Sequence, residues 1–441
     1  MHVLLDVSRL IACARRRTPS GIDRVEAAYV RRWLREPPRS VTFVARSPLR
    51  DFAAVPRALV ADLHACMERV WTGADRDQAA ATEARRIARR SALSLAFGIG
   101  SGQVTEKLRS ERRSALLVVS HRLMEQPEPI ARLRRKGAAF IPLMHDLIPA
   151  THPEYARPGV AMQHLRRLAT AARHADGILV NSAATRDALL PHLVGQDQVA
   201  PIRVAPLGLD LPAVGSADAP LGPYFVAIGT IEPRKNHLLL LHLWRDFAQK
   251  FGPAAPRLLL VGRRGWENEN ILDLLERCTL LRGLVEERGE LPDCEVAGLL
   301  RGARALLFPS FAEGYGLPLA EALACGVPAI CSDLPALREV GGSVPEYLDP
   351  LDGAGWRRAV LDYAEPDSNA HRAQMVRMRQ WRAPNWDSHF QAVDRLLQDV
   401  VGQRAPAPAM GELAEPLSVS GLRDRPHLRP APVATGDIPM S

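Results

Sequence analysis

The chain has 441 residues, 47% hydrophobic and 24% charged, enough for two ordinary domains with full cores. No run approaches the ~18 uncharged apolar residues that a membrane-spanning helix needs. The formal net charge of +8 is uneven, with 27 Lys and Arg against 15 Asp and Glu in residues 1–150 and 30 against 34 in the remainder.

A basic first half suits an anionic surface, such as the inner leaflet of a membrane or a nucleic acid, and arginine enrichment is equally a composition habit of some genomes. No nucleic-acid motif accompanies the charge, and 5% aromatic content supplies no stacking platform, so nucleic acid is not an expected partner. Cys13, Cys66, Cys278, Cys294, Cys325 and Cys331 show no paired spacing, which implies a reduced, cytoplasmic chain without a disulfide or zinc framework.

Residues 2–7 read as a first strand and not a signal peptide, because Asp6 and Arg9 interrupt the apolar run. An arginine-rich loop ends at Thr18-Pro19-Ser20-Gly21-Ile22, and a helix is predicted from about Asp23 to Leu34, with Val25, Ala28, Tyr29 and Trp33 at helical spacing. Gly21 is therefore a candidate for close backbone approach to a ligand. Val41 to Ala45 is the next strand, and residues 57–113 are helical in pattern. Strands at Ala115–Val119 and Ala138–Leu143 each end on a histidine, His121 and His145. The carboxyl edge of buried parallel strands is where doubly wound sheets bind ligands. His121 is read as a hydrogen-bonded loop residue, and His145, followed by Asp146, as the distinctive one.

A helix over 159–174, a strand over 177–180, a helix over 183–190 and a short strand at 202–205 follow. The Pro-, Gly- and Ala-rich residues 211–223 read as a linker between a domain of residues 1–210 and one of residues 224–385. The second alternation opens with a strand at 224–228 and the run GTIEPRKN, which sets Arg234 and Lys235 beside a helix start. Dipole, amides and two cations there would hold a diphosphate. Strands at 257–261, 285–289 and 305–308, helices over 353–364 and 368–382, a closing helix over 386–402 and a proline-rich, disordered tail over 403–441 complete the reading. The fold class is α/β, with two parallel-sheet domains facing each other.

The densest stretch is Phe308 to Asp333. Glu313 sits on a glycine-hinged loop ahead of a helix, with Gly314, Tyr315, Gly316 and Leu317 between it and Pro318, and Glu321 lies within that helix. A carboxylate beside a phosphate-friendly helix start would repel phosphate, so it is read as gripping hydroxyls, which sugars and ribose supply.

With GTIEPRKN, LLLVGRRGW and the glutamate-seven-residues-glutamate run of 313–321 in view, the chain resembles the retaining, nucleotide-sugar-dependent glycosyltransferases of family 4, with the GT-B fold. PSGIDR and MHDLIPATHPE resemble the bacterial polysaccharide mannosyltransferases more loosely. The resemblance covers roughly residues 1–400. It implies that Arg234 and Lys235 neutralise the donor diphosphate, Glu313 holds the transferred sugar, Glu321 accepts from ribose hydroxyls, and the amides of Gly314 to Leu317 support sugar and phosphates. His145 would touch the donor sugar, the loop at Glu290 and Leu291 would meet the nucleobase mostly through backbone groups, and Gly21, Gly229 and Arg263 would complete the donor site. Gly21 follows Ser20 where many family members have a second glycine.

The implied function is a cytoplasmic, membrane-associated transferase moving a hexose, mannose from GDP-mannose foremost, to a lipid-linked or polysaccharide acceptor. Fixed cations at the leaving group make a metal unnecessary, and no cofactor is expected; the Asp75 and Asp77 pair is read as lying in a helical region. Same-face attack without a covalent intermediate is usual in the family, and Glu313 as a nucleophile stays open. Transfer to a soluble sugar and a catalytically silent nucleotide-binding subunit are the alternatives. The second would show erosion at Arg234, Lys235, Glu313 or Glu321, and all four are present.

Overall fold

Short apolar runs bounded by Gly, Pro and polar residues become strands in the computed structural model, which describes residues 1–47, 51–73, 77–111, 113–194, 199–211, 219–220 and 222–403. Seven of them pair in the order β3-β2-β1-β4-β5-β6-β7: β1 (His2–Asp6), β2 (Val41–Arg46), β3 (Phe52–Ala54), β4 (Ser114–Val118), β5 (Ala138–Met144), β6 (Ile178–Val180) and β7 (Ile202–Val204). Six more pair in the order β10-β9-β8-β11-β12-β13: β8 (Tyr224–Ile228), β9 (Arg257–Val261), β10 (Val285–Arg288), β11 (Ala305–Phe308), β12 (Ala329–Ser332) and β13 (Glu346–Leu348). Every pairing is parallel except β2 with β3. The strands β1, β4 and β5 are buried along their whole length, which is why they read as unbroken apolar runs.

Helices cover both faces of each sheet. In the second sheet, Leu240, Trp244 and Phe247 pack one face with Trp356 and Tyr363, while Leu299, Leu319 and Leu323 pack the other. The helix Trp386–Gln403 does not stay with the second sheet. Its Phe390, Val393, Leu396, Leu397 and Val400 join the core of the first, and each such burial contributes about 1.5–3 kcal/mol. His389 lies 2.8 Å from the Tyr29 hydroxyl and 3.1 Å from the Ala205 carbonyl, tying the two ends of the fold together.

Strand order reverses between β1 and β4 in one sheet and between β8 and β11 in the other. The loops leaving the carboxyl ends of these four strands are the ligand-binding positions of doubly wound sheets. They carry Ser20 and Gly21, His121, Arg234 and Lys235, and Glu313.

Several expectations change. The antiparallel edge strand β3 was not foreseen; three residues are too few to show a period of two. The helix expected from Asp23 starts at Gly21, because Ser20 caps it: the Ser20 hydroxyl accepts from the Asp23 amide while the Asp23 carboxylate accepts from the Ser20 amide. Asp77 is not helical but caps Gln78–Ala96, its carboxylate accepting from the Ala80 amide at 2.8 Å. Asp75, most of the 211–223 linker and the tail from residue 404 lie outside the described residues.

Candidate active site

One cavity of about 510 Å³ opens between the two sheets. It gathers every site residue named from the sequence: Gly21, His145, Gly229, Arg234, Lys235, Arg263, Leu291, Glu313, Gly314, Tyr315, Gly316, Leu317 and Glu321.

The charged centre belongs to the second sheet. After β8 the chain makes a single 3₁₀ turn, Pro233–Lys235, before the helix His237–Phe251, and Asn236 takes the left-handed conformation between them. Gly262 on the neighbouring loop passes so close that a Cβ there would strike the Gly229 carbonyl, so only glycine lets the two loops cross. The turn aims Lys235 Nζ at Glu313 Oε1, 2.6 Å away, with the Phe308 ring 4.7 Å from the ammonium. Arg234 Nη1 donates to the Ala312 carbonyl at 2.6 Å and lies 3.1 Å from Glu313, while its Nε and Nη2 donate to Glu232 at 3.1 and 2.8 Å.

The sequence places the two cations beside a helix start and does not show their partners. Both are matched by carboxylates, and the formal charges of Glu232, Arg234, Lys235 and Glu313 cancel. Burial disfavours the ionised Glu313, yet Arg234 and Lys235 outweigh it and hold the carboxyl down at about 2. Burial also draws Lys235 below the ordinary lysine value against the pull of Glu313. Arg263, on the rim, is exposed and has no side-chain partner among the described residues.

The first sheet contributes the opposite wall. His145 Nε2 lies 2.6 Å from the Val119 carbonyl, and since a carbonyl only accepts, the proton sits on Nε2. The His145 amide donates to His121 Nε2 at 2.9 Å, which puts the His121 proton on Nδ1. Burial lowers His145 to about 4, so its ring is neutral at physiological pH. Gly21 and Ile22, at the start of the helix Gly21–Arg35, line the same space. Asp23 anchors that start through Arg9 and Arg16, at 2.6 and 2.8 Å.

Glu321 lies further along the cavity, on the helix Leu317–Ala324. Burial pushes its carboxyl up, Arg24 works against that, and Asp293 adds to it. Arg24 and Asp293 form a two-pronged ion pair between the halves at 2.5 and 2.7 Å, beside Glu321. Other contacts also cross the cleft. The Ser182 hydroxyl donates to the Gly314 carbonyl at 2.8 Å, and the Tyr315 hydroxyl to the Leu207 carbonyl at 2.8 Å. Glu339 accepts from the Ala183 and Ala184 amides at 2.6 Å each, capping the helix Ala183–Leu189 from the other half. A Cβ on Gly314 would collide with the His145 carbonyl.

Sequence reasoning missed Arg9, Arg24, Asp146, Asn181, Glu232, Trp266 and Asp293, all on the cavity wall. Glu232 had a signal, lying two residues before Arg234 in the run already singled out. Arg24 closes the run PSGIDR, whereas Asp293, 269 residues away, had none.

Residues 222–364 match the family model described as Glycosyl transferases group 1. The O-antigen chain mannosyltransferase B of Escherichia coli is 36% identical over 165 residues, 37% of this chain and 43% of that protein. The serotype-specific mannosyltransferase WbdA of E. coli is 27% identical over 289 residues, 60% of this chain and 35% of that protein. The chain thus covers less than half the length of either relative. The crystal structure of Anabaena Alr3699/HepE in complex with UDP and glucose superposes with a TM-score of 0.59 at 14% identity, over 90% of this chain and 99% of that one. Sucrose-phosphate synthase from Thermosynechococcus elongatus gives 0.57 at 16%, over 92% and 100%. The fold is GT-B.

Proposed function

We propose that the chain is a retaining glycosyltransferase that moves a hexose, mannose from GDP-mannose foremost, to a lipid-linked or polysaccharide acceptor in cell-surface glycan synthesis. One observation carries this: Arg234, Lys235, Glu313, Glu321, the Gly21 helix start and His145 all line a single cavity between two doubly wound sheets. The group 1 glycosyl transferase match over 222–364 and the two mannosyltransferase relatives support the chemistry and the sugar, and the UDP and glucose bound to HepE support a nucleotide-sugar donor.

Glycosyl transfer builds positive charge at the sugar's anomeric carbon and negative charge on the departing diphosphate. In this reading the diphosphate enters beside Lys235 and Arg234, helped by the exposed Arg263 and the Gly21 amides. A centre with formal charges already cancelled binds it through oriented donors more than through net charge. Glu313, ionised between two cations, accepts from sugar hydroxyls. Glu321 accepts from ribose hydroxyls next to the Arg24–Asp293 pair, and Leu291 backs the base. Neutral His145 offers its Nδ1 lone pair to a sugar hydroxyl. Fixed cations do the work of a metal, so transfer should survive chelation by EDTA. No helix among the described residues is long and apolar enough to cross a membrane, and attachment to the inner leaflet is read from the basic first half.

The test is a panel of mass-tagged nucleotide sugars, GDP-mannose included, scored for hydrolysis and for transfer to lipid-linked and soluble acceptors. Turnover of one donor with an α-linked product supports the reading. Binding of nucleotide sugars without hydrolysis or transfer on any acceptor would point to the silent subunit instead.

A further inference from the structure

A second cavity, of about 500 Å³, lies on the first sheet at the carboxyl ends of β1, β2 and β4. Helix Ser8–Cys13 divides it from the cleft, with Arg9 lining the cleft and Ser8, Ile11 and Ala12 lining the second space. Five arginines line it, Arg15, Arg46, Arg85, Arg89 and Arg122, and no carboxylate among the described residues does; behind the wall lies the buried Asp6, which accepts from Ser8. Arg15, Arg85, Arg89 and Arg122 are exposed and carry no ion pair among the described residues. Arg46 donates to Gln126 at 2.8 Å, but its Nε is buried with no acceptor. A buried guanidinium donor left unmatched is costly, and an anion entering the cavity would satisfy it.

The floor is apolar, formed by Ala45, Ala88, Ala92, Leu95 and Leu123. Beyond it, at the end of the helix Gln78–Ala96, Leu93, Phe97 and Ile99 are 61%, 77% and 61% exposed. The same helix lends Arg85, Arg89 and Leu95 to the pocket, and exposed apolar side chains on a helix beside a basic pocket suit an amphiphile.

We infer that this arginine pocket holds the phosphate or diphosphate of an ester whose apolar chain runs over Leu95 toward Phe97. This rests on the glycosyl-transfer reading only in identifying that ester with the acceptor. The pocket opens on the same sheet edge as the cleft, one short helix away, so an acceptor anchored there could reach it.

The experiment measures binding of radiolabelled farnesyl diphosphate to the full chain, with GDP and UDP present in excess to fill the cleft. Wild type should bind it roughly tenfold or more tightly than inorganic pyrophosphate or farnesol, since charge and chain both contribute. The combined variant Arg85→Ala, Arg89→Ala, Arg122→Ala should lose roughly tenfold or more of that affinity while its nucleotide affinity stays unchanged. Vesicles containing phosphatidylglycerol separate two sources of the same chemistry. Competition by them assigns the phosphate to bulk lipid, and lack of competition assigns it to a linked acceptor. Equal affinity in wild type and variant, or pyrophosphate held as tightly as farnesyl diphosphate, would overturn the inference. A chain that binds farnesyl diphosphate but turns over no nucleotide sugar keeps the pocket and overturns the transferase reading.

Discussion

Replacing Glu313 with Gln keeps its shape and removes its charge, which tests the charged centre directly. The carboxyl is 8% exposed, 2.6 Å from Lys235 and 3.1 Å from Arg234, and is held at about 2 against an ordinary value of 4.5. That depression corresponds to about 3 kcal/mol favouring the folded state, in line with the ~3–5 kcal/mol typical of breaking a buried pair. A folded value below the unfolded one contributes stability fully above about pH 4.5, lost as pH falls through about 2. Glu313→Gln should therefore lower the thermal midpoint by roughly 4 °C at pH 7, on ~2 cal/mol/K of unfolding entropy per residue. The difference from wild type should shrink below pH 4.5. Transfer should drop by ~10²–10³ through the lost sugar contact, while GDP or UDP affinity holds or tightens, because two cations lose their internal partner. Calorimetry, steady-state kinetics and nucleotide titration on one preparation read all three. Nucleotide affinity falling in step with transfer would refute the placement of Glu313 at the sugar.

Lys235→Ala leaves Arg234 alone against Glu313 and should cut turnover by ~10²–10³, with weaker nucleotide binding; unchanged titration and turnover would contradict the clamp. Gly314→Ala puts a methyl group into the His145 carbonyl and should cost ~10² or more in transfer by holding the halves apart, with nucleotide affinity nearly intact. Wild-type turnover in that variant would show that the contact is not needed. His145, His237 and His389 are buried and lowered to about 4, 3 and 4 from an ordinary 6.5, so they charge more readily unfolded than folded. Stability should be full above pH 6.5 and fall steadily toward pH 4, and a melting temperature flat across that window would count against their neutral burial.

Much of the fold was legible because buried parallel strands must be apolar on both faces, and the loops after them carry glycines and turn residues. The strands β8, β9 and β11 begin and end where the sequence placed them, and helix Gly353–Ala364 does too. The edge strand β3 was not legible, being short and paired on one side only. The docking of Trp386–Gln403 on the first sheet was hidden as well, since its apolar stripe would suit either core.

By itself, the sequence determined which residue types stand at the carboxyl ends of the strands, because local patterning sets where strands stop and loops begin. It could not determine which charges neutralise one another. Arg24 meets Asp293 and Glu339 caps a distant helix only once two sheets close on each other, and Lys235 meets Glu313 only once β8 and β11 lie side by side in the second sheet. Coulomb energy depends on distance and burial, and both are properties of packing across hundreds of residues rather than of neighbours in the chain.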